Sequence, residues 1–155
     1  MGRNRDLSTD PDNLAAMWRL AKPIYKELKQ TGLSDLALAG ILGNMAQECT
    51  FNPAAEYKGH FGYLQNTDDI VRWITKHFGG YGHTNQMNYM IAGLTRQLPQ
   101  VDEGVWLQDR FNDYLNNVGS VKSVPQAVAL WESAYEKAKG QNLRERVNYG
   151  KYLYE

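Results

Sequence analysis

A mainly α domain, a helical bundle around one buried helix with a small β-hairpin or loop at about 54–66, is what this sequence predicts. Three observations predict it. Apolar residues recur at three- and four-residue spacing through most of the chain. Ser, Thr, Asn and Pro stand where such runs begin, and Gly where they end. One stretch, residues 53 to 65, loses the period and carries Gly59 and Gly62 among alternating aromatics.

The elements follow in order. Thr9-Asp10-Pro11 reads as a helix start, and Leu14, Met17, Trp18, Ala21, Ile24, Tyr25 and Leu28 line its apolar side. Pro23 is expected to kink that helix and Gly32 to close it. Ser34 caps a second helix that runs to Glu48. Thr67 caps a short third, with Ile70, Val71, Trp73, Ile74 and His77 on its apolar side, ended by Gly79-Gly80-Tyr81-Gly82. Thr84 starts a fourth around Met87, Met90, Ile91 and Leu94, finished before Pro99. Val105, Trp106, Phe111, Tyr114 and Leu115 mark a fifth, stopped near Gly119. Ser123-Val124-Pro125 opens a sixth carrying Ala127, Val128, Leu130, Trp131, Ala134 and Tyr135, with Gly140 after it. Asn142 caps a last helix holding Leu143, Val147, Tyr149 and Leu153.

The second helix is the unusual one. Between Asp35 and Glu48 it carries no charge. At ~100° per residue, Leu38, Ile41, Leu42 and Met45 form one apolar stripe. Gly40, Gly43 and Ala46 fall roughly opposite, where small residues let another element come close. Such a helix is buried all round. Its late carboxylate, Glu48, lies at the margin of the buried face and opposes the helix dipole there. Partly desolvated, it is expected to have a raised pKa and to suit general-acid work near neutral pH. Asn52-Pro53 is expected to end the helix.

Bulk properties narrow the field. The 155 residues fit one domain with a sizeable core, expected over residues 9–155 after a flexible segment 1–8. Seventeen basic and seventeen acidic side chains balance, so no global field favours nucleic acid or an anionic membrane. No apolar stretch reaches transmembrane length, and the polar start lacks the apolar core of a secretory signal. Cys49 is the only cysteine, which excludes an internal disulfide, and its place on the stripe favours an inert buried thiol. His60, His77 and His83 show no metal-ligand spacing, so no metal or other cofactor is expected, and His77 reads as a packed histidine. Gly79 to Gly82 lacks the lysine of a phosphate loop and reads as a flexible turn. Glu132 and Glu136, at i and i+4, could form a carboxylate pair. Lys137, Lys139, Arg144 and Arg146 read as a solvated face.

Taken together, Gly40-Ile41-Leu42-Gly43-Asn44-Met45, then Glu48, then Asn52-Pro53, and later Phe61-Gly62-Tyr63-Leu64-Gln65, have a recognisable order. They resemble the lysozyme-like superfamily, and most closely the phage tail lysozyme family, whose domains degrade peptidoglycan from phage tails. The likeness extends from about Leu14 to the end, where Ser133-Ala134-Tyr135-Glu136-Lys137, Arg144-Glu145-Arg146 and Tyr149 look similar to that family's terminal helices. The sequence departs from the family at Cys49, where Ser is usual, at Asn66, where Trp is usual, and at His60, where Gly is common.

The resemblance implies an α+β lysozyme-like catalytic domain that cleaves the β-1,4 bond between N-acetylmuramic acid and N-acetylglucosamine. It makes Glu48 the general acid. It places Gln65, Tyr63, Phe61 and Tyr135 around the substrate, and bacterial peptidoglycan strands, with phage tail proteins, become the expected partners. Glu136 is expected to pair with Arg144 or Arg146. A protonated carboxyl meets the need of a leaving glycosidic oxygen. For a second carboxylate the nearby candidates are Glu56, Asp68 and Asp69, although the last two stand where acids favour a helix dipole. A transglycosylase, in which the substrate's C6 hydroxyl attacks, needs none. Expected placement is a virion tail or delivery to the cell wall. The rival readings are a catalytically silent glycan-binding or structural tail module, and a bacterial secreted or conjugation-associated lytic transglycosylase.

Overall fold

A computed structural model of the protein describes residues 11–137 and 143–154. The expected segment 1–8, the cap at Thr9-Asp10, Lys139, and the marks at Gly140 and Asn142 lie outside these residues. Seven α-helices and a two-stranded antiparallel sheet make up the described part, the mainly α, lysozyme-like architecture that the sequence predicts.

The helix α1, Pro11–Leu28, runs on through Pro23, which is exposed on its outer side. A short 3₁₀ turn, Lys29–Thr31, ends at Gly32 in the left-handed region. Ser34 then caps α2, Asp35–Cys49, its Oγ accepting from Ala37 N at 3.1 Å. Every residue of α2 from Ala37 to Cys49 is buried. The small face does what its composition predicts. A Cβ on Gly40 would stand 2.5 Å from the backbone of Ala127, and one on Gly43 would stand 2.5 Å from the carbonyl oxygen of Arg146. Two other helices therefore lie directly against α2.

The end of α2 differs from expectation. Thr50 and Phe51 both take positive φ, 51° and 59°, and the Thr50 amide closes the helix on Ala46 O at 3.1 Å. Pro53 follows this left-handed reversal and does not cause it. Asn52 Oδ1 accepts from Ala54 N at 2.9 Å, a local turn that leads the chain out.

The irregular stretch holds strands β1, Glu56–Tyr57, and β2, His60–Phe61, paired in the register Glu56 to Phe61 and Tyr57 to His60. Lys58 and Gly59 connect them, both at positive φ, as a two-residue hairpin requires. Then come α3, Asp68–Phe78, and α4, His83–Leu94, whose start one residue before Thr84 is set by Asn85 Oδ1 accepting from Gly82 N at 3.1 Å. The helix α5, Glu103–Val118, precedes α6, Val124–Trp131, and α7, Leu143–Tyr154. A wider π-helical turn, Glu132–Glu136, continues α6. The core gathers around α2, with α6 and α7 on its small face and the aromatic residues of α4 and α5 beyond its carboxyl end. Among the described residues, no helix is long and apolar enough to cross a membrane.

Candidate active site

Where α2 ends, Arg146 of α7 reaches in. Its side chain is 1% exposed, and it sits among three carboxyl groups. Its Nη2 donates to Glu48 Oε2. Its Nη1 donates to Glu136 Oε1 at 3.1 Å, and its Nε lies 3.3 Å from Glu132 Oε2. Asn44, one turn before Glu48, completes the ring by accepting from Nη1 at 2.8 Å. Asn44 is itself fixed by donating to Gly40 O and Val128 O at 2.9 and 3.0 Å.

The sequence explains the assembly. Gly43 lets α7 come close enough for an arginine on it to reach Glu48 and Asn44, and the π turn carries both Glu132 and Glu136 to the same guanidinium. The expected pairing of Glu136 with an arginine is met by Arg146. The expected solvated face is corrected at that residue, because Arg146 is among the most buried side chains of the protein. A cation removed from water needs partners, and three acids supply them.

Three carboxyls around one guanidinium leave an excess of negative charge, which favours a retained proton. Burial first, and the nearby Glu48 second, push the Glu136 carboxyl up to about 8, with Arg146 opposing. Glu48 is thus not the isolated acid that its sequence context suggests, but one member of a cluster.

This cluster opens on a cleft of about 480 Å³. Glu48 and Glu136 line it together with Gln65 and Asn66, while Tyr57, Lys58 and His60 of the hairpin and Trp106 and Arg110 of α5 supply its outer walls. Glu48 is 8% exposed, so the acid lies deep while the hairpin side chains stand near the rim. Gln65 Nε2 donates to Gly62 O at 2.9 Å, and its Oε1 has no hydrogen-bond partner among the described residues.

Three residues expected beside the substrate stand elsewhere. Tyr63 turns into the core, its hydroxyl 2.7 Å from His83 Nδ1, and His83 in turn reaches Glu27 at 2.7 Å. Phe61 is outside the lining and gives its carbonyl to the Tyr81 hydroxyl at 2.7 Å. Tyr135 lies behind the wall at 1% exposure. Its hydroxyl donates to Asn66 Oδ1 at 2.7 Å and meets the Tyr89 hydroxyl at 2.8 Å. Asn66 thereby becomes a bridge, since its Nδ2 donates to Tyr81 at 3.1 Å. Asn66 thus ties the hairpin to the residues around Tyr81 and Tyr135.

The other carboxylates proposed from sequence do not line the cleft. Glu56 accepts from Gly59 N within the hairpin, Asp68 pairs with Arg72, and Asp69 accepts from the Thr67 hydroxyl. Cys49 is buried, with Sγ 3.3 Å from Met45 O, and burial pushes its thiol up to about 12. His77 packs against Trp73, ring centres 4.5 Å apart. Among the described residues, no group of three or more His, Cys, Asp or Glu could hold a metal ion.

Sequence reasoning missed Trp106 and Arg110 as cleft residues, having placed Trp106 only on an apolar helical side. Their i, i+4 spacing, an aromatic followed by a guanidinium, is the signal that could have found them.

Comparison with known proteins adds to this geometry. A family model described as phage tail lysozyme matches residues 19–155. Morphogenesis protein 1 of Bacillus phage B103 is 27% identical over 146 residues, covering 86% of this chain. The chain spans only 38% of the length of that relative. No solved structure matches.

Proposed function

This chain belongs to the phage tail lysozyme family, and we propose that it is a peptidoglycan-cleaving muramidase carried by a phage tail. Its reaction is cleavage of the β-1,4 bond between N-acetylmuramic acid and N-acetylglucosamine, with Glu48 as the general acid. One observation carries the reading. A carboxyl at the end of a helix buried from Ala37 onward lies deep in a cleft whose walls are a β-hairpin and a helix, a trough fit for an extended glycan strand.

Burial beside Glu48 pushes the Glu136 carboxyl up to about 8, and it opens on the same cleft as the acid. Arg146 orients Glu48 through Nη2 and tempers the charge that appears when the proton leaves. Gln65 lines the same cleft and positions the sugar or the attacking oxygen.

The test is turbidity loss of purified peptidoglycan with the wild-type protein and with Glu48→Gln. Removal of a general acid costs about 10²–10⁴-fold in rate, so the variant should be nearly inert, and equal activity in both would sink the assignment. Mass spectrometry of the products then separates hydrolysis, which leaves reducing ends, from transglycosylation, which leaves 1,6-anhydro ends.

A second reading, a silent structural tail module, draws on the ion pair that ties Glu48 to Arg146 and on the relative named for morphogenesis. A wild-type protein that binds peptidoglycan but releases no fragments would favour it.

A further inference from the structure

We propose that Trp106 is a sugar-stacking platform, on which one N-acetylhexosamine ring of the glycan lies beside the acid. This rests on the glycan-cleaving reading above and adds a subsite to it. A singly exposed apolar side chain is ordinary on a protein surface, so exposure alone decides nothing. Trp106 differs by where it stands and by how it is held.

It is 47% exposed, against 4% for Trp73 and none for Trp131, and it lines the same cleft as Glu48 and Glu136. The Arg110 guanidinium lies over its ring, 5.2 Å from the ring centre. Arg110 is fixed in turn: it donates to the Tyr135 carbonyl and lies 4.4 Å over the Tyr135 ring. Tyr135 stacks on Trp131 at 5.0 Å with the planes 5° apart. A column of flat groups thus runs from the core to the cleft and ends at Trp106.

The column fixes the indole before any ligand arrives, which lowers the cost of binding. Its electron-rich face attracts the weakly positive C–H bonds that line one side of a pyranose ring. The base of the platform is equally constrained, since a Cβ on Gly104 would stand 1.8 Å from Pro99 O and 2.6 Å from Trp73. Trp106 is far more exposed than Glu48, so the platform holds a sugar near the rim and leaves the scissile bond to the deeper part of the cleft.

The test measures binding apart from cleavage. Chitotetraose, a soluble β-1,4 N-acetylglucosamine oligomer, is titrated calorimetrically into the full chain carrying Glu48→Gln, with and without Trp106→Ala. The alanine variant should bind about three- to tenfold more weakly, and Trp106→Phe should keep most of the affinity. Val105→Ala, an equally exposed neighbour outside the cleft lining, should change nothing. In the Glu48 background on peptidoglycan, Trp106→Ala should raise KM while moving kcat little. Unchanged affinity in the alanine variant, an equal loss in Val105→Ala, or no binding of chitotetraose by the parent would overturn the platform. An active Glu48→Gln protein would instead remove the catalytic reading and leave the binding result standing.

Discussion

Arg146 and Glu48 form an ion pair inside the protein although 98 residues separate them in sequence. The pair fastens α7 to the end of α2 at the point where the cleft begins. It also ties helix packing to the cleft, because the one guanidinium set among three buried carboxyls is the one that holds Glu48.

Arg146→Met should be severely destabilising. Removing one partner of a buried ion pair costs about 3–5 kcal/mol, because the remaining charge is left uncompensated, and here three carboxyls lose their cation. Arg146→Lys keeps the charge but not the planar fork that reaches Glu48, Glu136 and Asn44 together. It should fall between wild type and Arg146→Met. Urea unfolding followed by circular dichroism checks the order, and an Arg146→Met protein as stable as wild type would contradict the cluster.

Gly43→Ala should weaken the protein despite the better helix propensity of alanine, a gain of about 1 kcal/mol. The new methyl would meet the Arg146 carbonyl at 2.5 Å and the Gly150 backbone at 2.9 Å, and backbone cannot step aside as a flexible side chain can. Overpacking of this kind costs about 1–3 kcal/mol. Since the same contact sets the reach of Arg146, activity should drop further than the lost stability explains. Thermal melts and peptidoglycan turbidity, measured on one preparation, separate the two effects.

Cys49 should stay unmodified in the folded protein. Its thiol is buried and held well above the usual range, at about 12, and only the thiolate reacts. Iodoacetamide at pH 8 should leave native protein unlabelled and label it fully in denaturant, as intact mass reports. Cys49→Ser, which brings the residue usual in the family, can donate to Met45 O as the thiol does. Its effect on stability should be small, under about 1 kcal/mol.

Much of this arrangement was legible in the sequence, for physical reasons that vary by element. The uncharged stretch before Glu48 with its glycine face could only be a helix packed on all sides, and the structure places α6 and α7 against those glycines. The end of α2 was harder, because nothing in Thr50-Phe51 announces two non-glycine residues at positive φ. Arg146 was hidden for a different reason. Periodicity records where apolar residues fall, and a buried cation on a helix of mixed polarity looks the same as a solvated one. Its pairing with Glu136 is expected from the family likeness alone, and the π turn that aims Glu136 has no periodic signature. Tyr63 follows the same rule in reverse: an aromatic beside a hairpin can face the groove or the core, and here its ring is buried with its hydroxyl on His83.

Stability should fall with rising pH through the titration of Glu136. Its carboxyl is raised from an ordinary value of 4.5 to about 8 by burial and by Glu48, so the folded state binds that proton more tightly than the unfolded chain does. The stabilisation is fully present below about 4.5 and is lost as pH climbs to about 8. Glu136→Gln carries a neutral amide at every pH and removes this dependence. The two proteins should therefore differ least favourably for wild type at pH 9, and the gap in melting temperature should narrow or reverse toward pH 5. Groups remote from the cluster titrate in both proteins and cancel in the difference, whereas Glu48 and Glu132 lie within the field of Glu136. A gap that stays constant from pH 5 to 9 would mean that Glu136 ionises like an exposed carboxylate, against its burial in the cluster.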